Sequence, residues 1–173
     1  PKHVTPERML RVVNNALGKN PKLLECTHAS LISSVVVASE LGLEPNTPLG
    51  FGWIIPYKDR GEMQAQFQIG YRGLIELALR TGKVSGITAE VVYEHDEFSY
   101  ALGLHPDLKH VPARGDRGEP VGYYAVVEMA NAKPAFRFMT VEDVHRHAMQ
   151  YSKAYQYDQR EKKKSCPWST DFD

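Results

Sequence analysis

The spacing of apolar residues changes period several times along the chain, and each change marks a new element. Near the start, Leu10, Val13 and Leu17 recur at helical spacing. Thr5 ahead of Pro6 and Glu7 supplies a hydroxyl cap, a proline at the first helical position and an acid at the positive dipole end; Gly18 is placed to close the helix. A second helix is predicted from about Ala29 to Leu41, with Leu31, Val35, Ala38 and Leu41 in register and Gly42 as its stop. The period then drops to two. Phe51–Tyr57 reads as a strand and Asp59-Arg60-Gly61 as a hairpin turn. The next strand sends Met63, Ala65, Phe67 and Ile69 one way and Gln64, Gln66 and Gln68 the other.

Helical spacing returns after Gly70-Tyr71-Arg72-Gly73, where Leu74, Ile75, Ala78 and Leu79 form the expected buried stripe and Gly82 the end. Strands are predicted at Ile87–Glu94, Phe98–Leu102, Val121–Met129 and Ala135–Met139, with Pro106–Pro120 as loop. Thr140-Val-Glu-Asp143 resembles a capping box and starts a helix through about Gln150. From Tyr151 onward, aromatic residues sit among basic ones. No internal repeat or low-complexity linker interrupts the pattern. The expectation is one α+β domain over residues 1–173: two helices, a hairpin, a helix packed across a small, mainly antiparallel sheet, and a basic helical end.

Composition narrows the class. With 173 residues, 42% apolar and 24% charged, the chain has the mix of an ordinary globular domain. No run of eighteen apolar residues offers a membrane helix, and the polar start lacks a signal-peptide stretch. Cys26 and Cys166 are far apart and outside any CxxC spacing, which suits two reduced thiols in a cytoplasmic protein. A start at Pro1 and an end at Asp173, just after an aromatic cluster, read as the trimmed core of something longer.

Charge matters by position rather than in total, since 21 acids balance 21 bases. Residues 1–25 carry Lys2, Arg8, Arg11, Lys19 and Lys22 against two acids, and residues 143–164 carry six bases against three acids. Residues 84–107 hold five acids and no Lys or Arg. Such asymmetry permits a basic groove on one face.

Several chemistries lack their motif. There is no phosphate-cradling G-x-x-x-x-G-K-[ST] loop, so an ATP-driven recombinase is not expected, and neither HExxH nor G-x-S-x-G occurs. His145 and His147, two apart on a helix, face different ways and make poor metal ligands. Asp107-Leu-Lys109 is a faint match to a metal-dependent nuclease site, without partner carboxylates in view. The junction Gly70-Tyr71-Arg72-Gly73 is richer. Glycines permit close backbone approach, a helix start offers unpaired N–H groups, and Arg72 adds a cation with bidentate reach. The plain alternative is a turn with a packed tyrosine and an exposed arginine. A second cluster, Arg146, Ser152, Lys153, Tyr155, Tyr157, Arg160, Lys162–Lys164 and Trp168, interleaves bases with aromatics as a nucleic-acid groove does, or as a solvated helix end with packed aromatics does. The glutamine face is either a solvated surface or a neutral hydrogen-bonding surface beside a polynucleotide.

At these residues the chain resembles the RecT/Red-beta annealing proteins of phages and prophages. The matching stretches are Asn20-Pro-Lys-Leu-Leu24, the serine-rich helix ending Leu41-Gly-Leu43-Glu-Pro45, Ile55-Pro-Tyr57, Phe67-Gln-Ile-Gly-Tyr71-Arg-Gly73, His95-Asp-Glu-Phe98 and Pro167-Trp168. The resemblance implies ATP-independent annealing of single-stranded DNA in homologous recombination, with no catalytic residue and no required cofactor, magnesium stimulation being left open. It implies a homo-oligomer, ring or helical filament, that holds single-stranded DNA and the annealed duplex intermediate. It also implies a phage 5′→3′ exonuclease partner that docks on a C-terminal region beyond residue 173, and a bacterial host cytoplasm. The expected DNA ligands are Arg72 with Tyr71 shaping the junction, then Lys153 and Arg146, then Lys58, Lys109, Arg114 and Arg137, with Gln66 and Gln68 as a polar face. A metal-dependent nuclease and a purely structural self-assembling protein are the rival readings.

Overall fold

A computed structural model describes residues 5–170. It is α+β with small antiparallel sheets, and the chain gathers into two compact units, residues 1–84 and 85–173. Lys2, counted above with the basic N-terminal stretch, lies outside the described residues.

The first unit is a two-stranded ribbon backed by helices. Helix α1 (Pro6–Lys19) starts where Thr5 accepts from the Arg8 amide, but it runs through Gly18 and is capped at Asn20. Its buried side is Met9, Val12 and Ala16, while the expected Leu10 is 64% exposed. Leu17 packs against the core and Val13 is half-buried, so of the Leu10–Val13–Leu17 reading Leu10 alone falls outside the inward side, which is centred on Met9, Val12 and Ala16. A short 3-10 helix, Pro21–Glu25, leads to α2 (His28–Leu41), which ends at Gly42 in the left-handed region. Strands β1 (Gly52–Asp59) and β2 (Glu62–Ile69) pair antiparallel around Arg60-Gly61, both with positive φ. Ile54 and Ala65 pack with Ala16, Leu23 and Cys26, and Met63, Phe67, Leu31 and Val35 surround them.

Both outer edges of the ribbon form hydrogen bonds with neighbouring segments over part of their length, which limits unwanted strand pairing there. Along β2, the Thr27 amide donates to the Met63 carbonyl at 3.0 Å and the Ala65 amide donates to Ser30 Oγ at 2.9 Å. Along β1, the Ile54 amide donates to Asn46 Oδ1 at 2.9 Å. Helix α3 (Tyr71–Arg80) follows β2 directly. At its far end the Arg80 guanidinium donates to the carbonyls of Leu41 and Gly42, completing the end of α2 with a cation where the dipole is negative.

In the second unit β3 (Val84–Tyr93), β6 (Pro120–Met129) and β7 (Ala135–Thr140) form a sheet in the order β3-β6-β7. Strands β4 (Glu97–Ala101) and β5 (Asp107–Val111) form a hairpin whose Phe98 and Tyr100 rings lie on Tyr124, Phe136 and Phe138. β5 replaces part of the expected loop. It alternates, with Leu108 and His110 turned in and Asp107, Lys109 and Val111 exposed. Thr140 and Asp143 close a capping box at α4 (Val141–Tyr151), and α5 (Lys153–Glu161) and the short α6 (Pro167–Thr170) follow. None of the helices is long and apolar enough to cross a membrane, among the described residues.

Two buried carboxylates organise this unit. Asp96 accepts from the amides of Tyr93 and Ala113, from the Arg117 guanidinium at 2.6 Å and from the His110 ring at 3.0 Å; His110 also meets the Tyr124 hydroxyl at 3.2 Å. Arg117 foremost holds the Asp96 carboxyl far below the usual carboxylate range. Asp158 accepts from the Ser165 hydroxyl at 2.5 Å, from the Ser165 and Cys166 amides, and from the Ser169 hydroxyl. The serine hydroxyls and these amides likewise hold its carboxyl far below the ordinary range. These bonds pin the segment after α5, including Lys162–Lys164, back onto the helix.

Candidate nucleic-acid interface

The first unit presents an outward ribbon face that the pairing register defines. Trp53 lies opposite Gln68, Ile55 opposite Gln66 and Tyr57 opposite Gln64. Directly opposed residues share a face, so three large apolar side chains alternate with three amides. Trp53, Ile55 and Tyr57 are about two-fifths exposed, and Gln66 and Gln68 are exposed. Gln64 is half-buried and accepts from Thr27 at 3.0 Å. The glutamine alternation was legible in sequence. Trp53 and Tyr57 lie on this same face, to which the sequence reading assigned only the glutamines, although the same alternation places them.

This face runs into the start of α3. Gly70 is the N-cap, with no side-chain hydrogen bond and no acid in the first turn. α1, α2, α4 and α5 each have a Thr or Ser side chain accepting at that position. Tyr71 is 67% exposed, and the exposed Arg72 donates from Nε to the Tyr71 hydroxyl at 3.1 Å. The two glycines have a packing explanation. A Cβ on Gly70 would lie 2.5 Å from the Gly50 carbonyl oxygen and 2.6 Å from the Trp53 ring; one on Gly73 would lie 2.1 Å from the Phe51 carbonyl oxygen. They let the chain's own 50–53 segment, rather than a ligand, come close. Their effect is to fix the helix start beside Trp53. The expected buried stripe of α3 is corrected too: Leu74 is 58% exposed and Leu79 is exposed, and Gly73 is the buried residue of the helix. Lys58 is exposed near the far end of β1, opposite Met63.

The remaining expected ligands lie on separate elements of the second unit, and no hydrogen bond or ion pair joins any two of them among the described residues. Lys109 on β5 is paired with Glu97, which raises its pKa. Arg114 is exposed in the loop after β5, and Arg137 is exposed on β7 opposite Ala125. Arg146 on α4 is bonded to Asp143 at 3.0 Å, and Lys153 is exposed at the start of α5. The aromatics of the basic tail divide. Tyr155 is buried with Ala148 and Cys166 and touches the His145 ring at 2.8 Å. Tyr157 is exposed, with Arg160 and Lys163 over its ring. A half-open cavity of about 530 Å³ lies here, lined by Tyr123, His145, Lys162, Lys164 and Trp168 among others. Asp107 is exposed at the start of β5, and no group of three or more His, Cys, Asp or Glu side chains could hold a metal ion among the described residues.

Comparison with known proteins adds three findings. The family model described as the RecT family matches residues 7–173. Protein RecT of Escherichia coli strain K12 is 36% identical over 148 residues, 83% of this chain and 55% of that protein. The uncharacterized protein YqaK of Bacillus subtilis strain 168 is 34% identical over 125 residues, 72% of this chain and 42% of that one. The chain spans about half the length of the curated relatives it matches.

Proposed function

The chain belongs to the RecT family, and from that premise we propose that it anneals complementary single strands of DNA in recombination without ATP, gripping the sugar–phosphate backbone and assembling with copies of itself. The observation that carries the reading is the start of α3: an N-terminus without a side-chain cap or acid, with Arg72 exposed beside it and an uncharged amide and aromatic face alongside. Helix-start N–H groups and a guanidinium suit phosphate oxygens. An uncharged face keeps the neighbouring strand from repulsion while carrying no fixed anion of its own.

Annealing requires base edges to stay free, because complementary bases test each other through those edges. Trp53 and Tyr57 are about two-fifths exposed on the outward face of a two-stranded ribbon. A base resting on such a face keeps its pairing edge in solvent. The drive for pairing is the duplex itself, roughly 1.4 kcal/mol per stacked step. That favours a mechanism with no nucleotide fuel, in line with the missing phosphate loop. Lys58, Arg114, Arg137 and Lys153 are proposed as further backbone contacts, and Lys109 and Arg146 as contacts that compete with their present carboxylate partners.

The test is Arg72→Ala. Removing one phosphate contact should weaken oligonucleotide binding and make the dependence of log affinity on log salt shallower by about 0.7. A slope equal to that of the parent removes Arg72 from the interface. Annealing itself is measured by adding two complementary oligonucleotides in succession without ATP. A stable protein–duplex complex is the expected product, and no gain over the spontaneous rate sinks the proposal.

A further inference from the structure

Helix α2 has a second apolar side. Its inner side, with Leu31, Val35 and Ala38, faces the ribbon core, yet Ile32, Val36 and Val37 on the other side are 63%, 47% and 40% exposed. Positions 29, 32, 33, 36 and 37 are Ala, Ile, Ser, Val and Val, the i, i+3, i+4, i+7, i+8 pattern of a helix face made for contact. Far along the sequence, the β4–β5 turn carries two leucines with almost no cover, Leu102 at 72% exposed and Leu104 at 87%. Apolar surface of this kind on two separate elements marks association.

We propose that copies of this chain join head to tail, with the β4–β5 tip of one copy seated on the outward stripe of α2 of the next. The inference rests on the assembly part of the function proposed above and names the surfaces that make it. Charge selects the partner. Residues 1–84 carry ten Lys and Arg against seven Asp and Glu, and residues 85–173 carry eleven against fourteen. The first unit is thus net positive by three and the second net negative by three. Joining the first unit of one copy to the second unit of another brings opposite signs together, whereas α2 against α2 or tip against tip brings like signs together. Asp107, paired with Ala101 at the closed end of the hairpin, places an exposed acid beside the tip; Arg11 and Lys19 on α1 and Lys22 on the 3-10 helix before α2 are exposed in the unit that receives it. Because the two patches differ, each bound copy still offers one of each. Such a contact propagates into a ring or filament, while a contact between identical patches closes at a dimer.

Leu104→Arg spoils the tip, and Val36→Asp spoils the stripe. Circular dichroism checks that each variant is folded, with Leu102→Arg as a second tip variant. Mass photometry without DNA should find the parent in assemblies and each variant as monomers. An equal mixture is the decisive arm. The Val36→Asp chain keeps a sound tip and the Leu104→Arg chain a sound stripe, so the mixture should give 1:1 heterodimers that grow no further. Variants that assemble like the parent, or a mixture that stays monomeric, overturn the head-to-tail contact. A parent that is monomeric without DNA and with it instead overturns the assembly reading itself.

Discussion

Replacing Asp158 by Asn keeps the shape of the side chain and removes the charge on which the Ser165, Cys166 and Ser169 donors converge. The folded protein holds this carboxyl well below its ordinary value, so its contribution is complete above about pH 4, where an unfolded aspartate ionises. That contribution fades as the solution becomes more acid. Thermal melts should show Asp158→Asn less stable than the parent at pH 7, with the difference shrinking by pH 3. An equal gap at both pH values would mean that the charge is not what stabilises the segment. Asp96 has the same sign, so acid loosens the hairpin and the C-terminal segment together. Glycines divide by what a methyl group would meet. At Gly73 it would press on the Phe51 carbonyl, and Gly73→Ala should cost on the order of 1–3 kcal/mol. At Gly18, inside α1 with open space around it, Ala should instead add about 0.5–1 kcal/mol. Urea titrations of the pair should move in opposite directions.

Among the elements, the ribbon and α3 make separable contributions to DNA binding under the proposed function. Tyr57→Leu keeps an apolar side chain and removes an aromatic face, so affinity for an oligonucleotide should fall by up to about 1–3 kcal/mol with the salt slope unchanged. Arg72→Ala should change the slope. Fluorescence anisotropy over a salt series separates the two, and a slope change in Tyr57→Leu would contradict the division. The same elements explain what was legible beforehand. Period-two alternation over residues 63–69 gave the correct faces, because a strand offers only two. Helical stripes were less determinate. Leu10 and Met9, or Leu74 and Gly73, differ by one position, and tertiary packing chose the smaller or less obvious residue. β5 was hidden by the prolines and glycines around it, since its partner β4 is set by tertiary pairing and the aromatic contacts beneath. The Arg72 junction was visible as a motif, but the reason for its glycines was not. That reason is an approach of residues 50–53, and no local pattern encodes it.

For the whole molecule, opposite net charges on the two units bear on both proposed activities. Salt should weaken phosphate contacts and head-to-tail assembly alike, since exposed charges are screened within about 8–10 Å at physiological ionic strength. The apolar tip-to-stripe contact should survive better than the phosphate contacts. Raising salt is therefore expected to release oligonucleotide before assemblies break down, and light scattering recorded with anisotropy would reveal the reverse order if it occurs.

One cysteine sits in each unit, Cys26 at 7% exposure and Cys166 at 6%, both as free thiols. Burial pushes the Cys26 thiol up, away from the reactive thiolate. Alkylating reagents should therefore read out breathing motions. A brief pulse of iodoacetamide along a denaturant series, followed by peptide mass spectrometry, would time when each half of the chain opens, with no engineered probe.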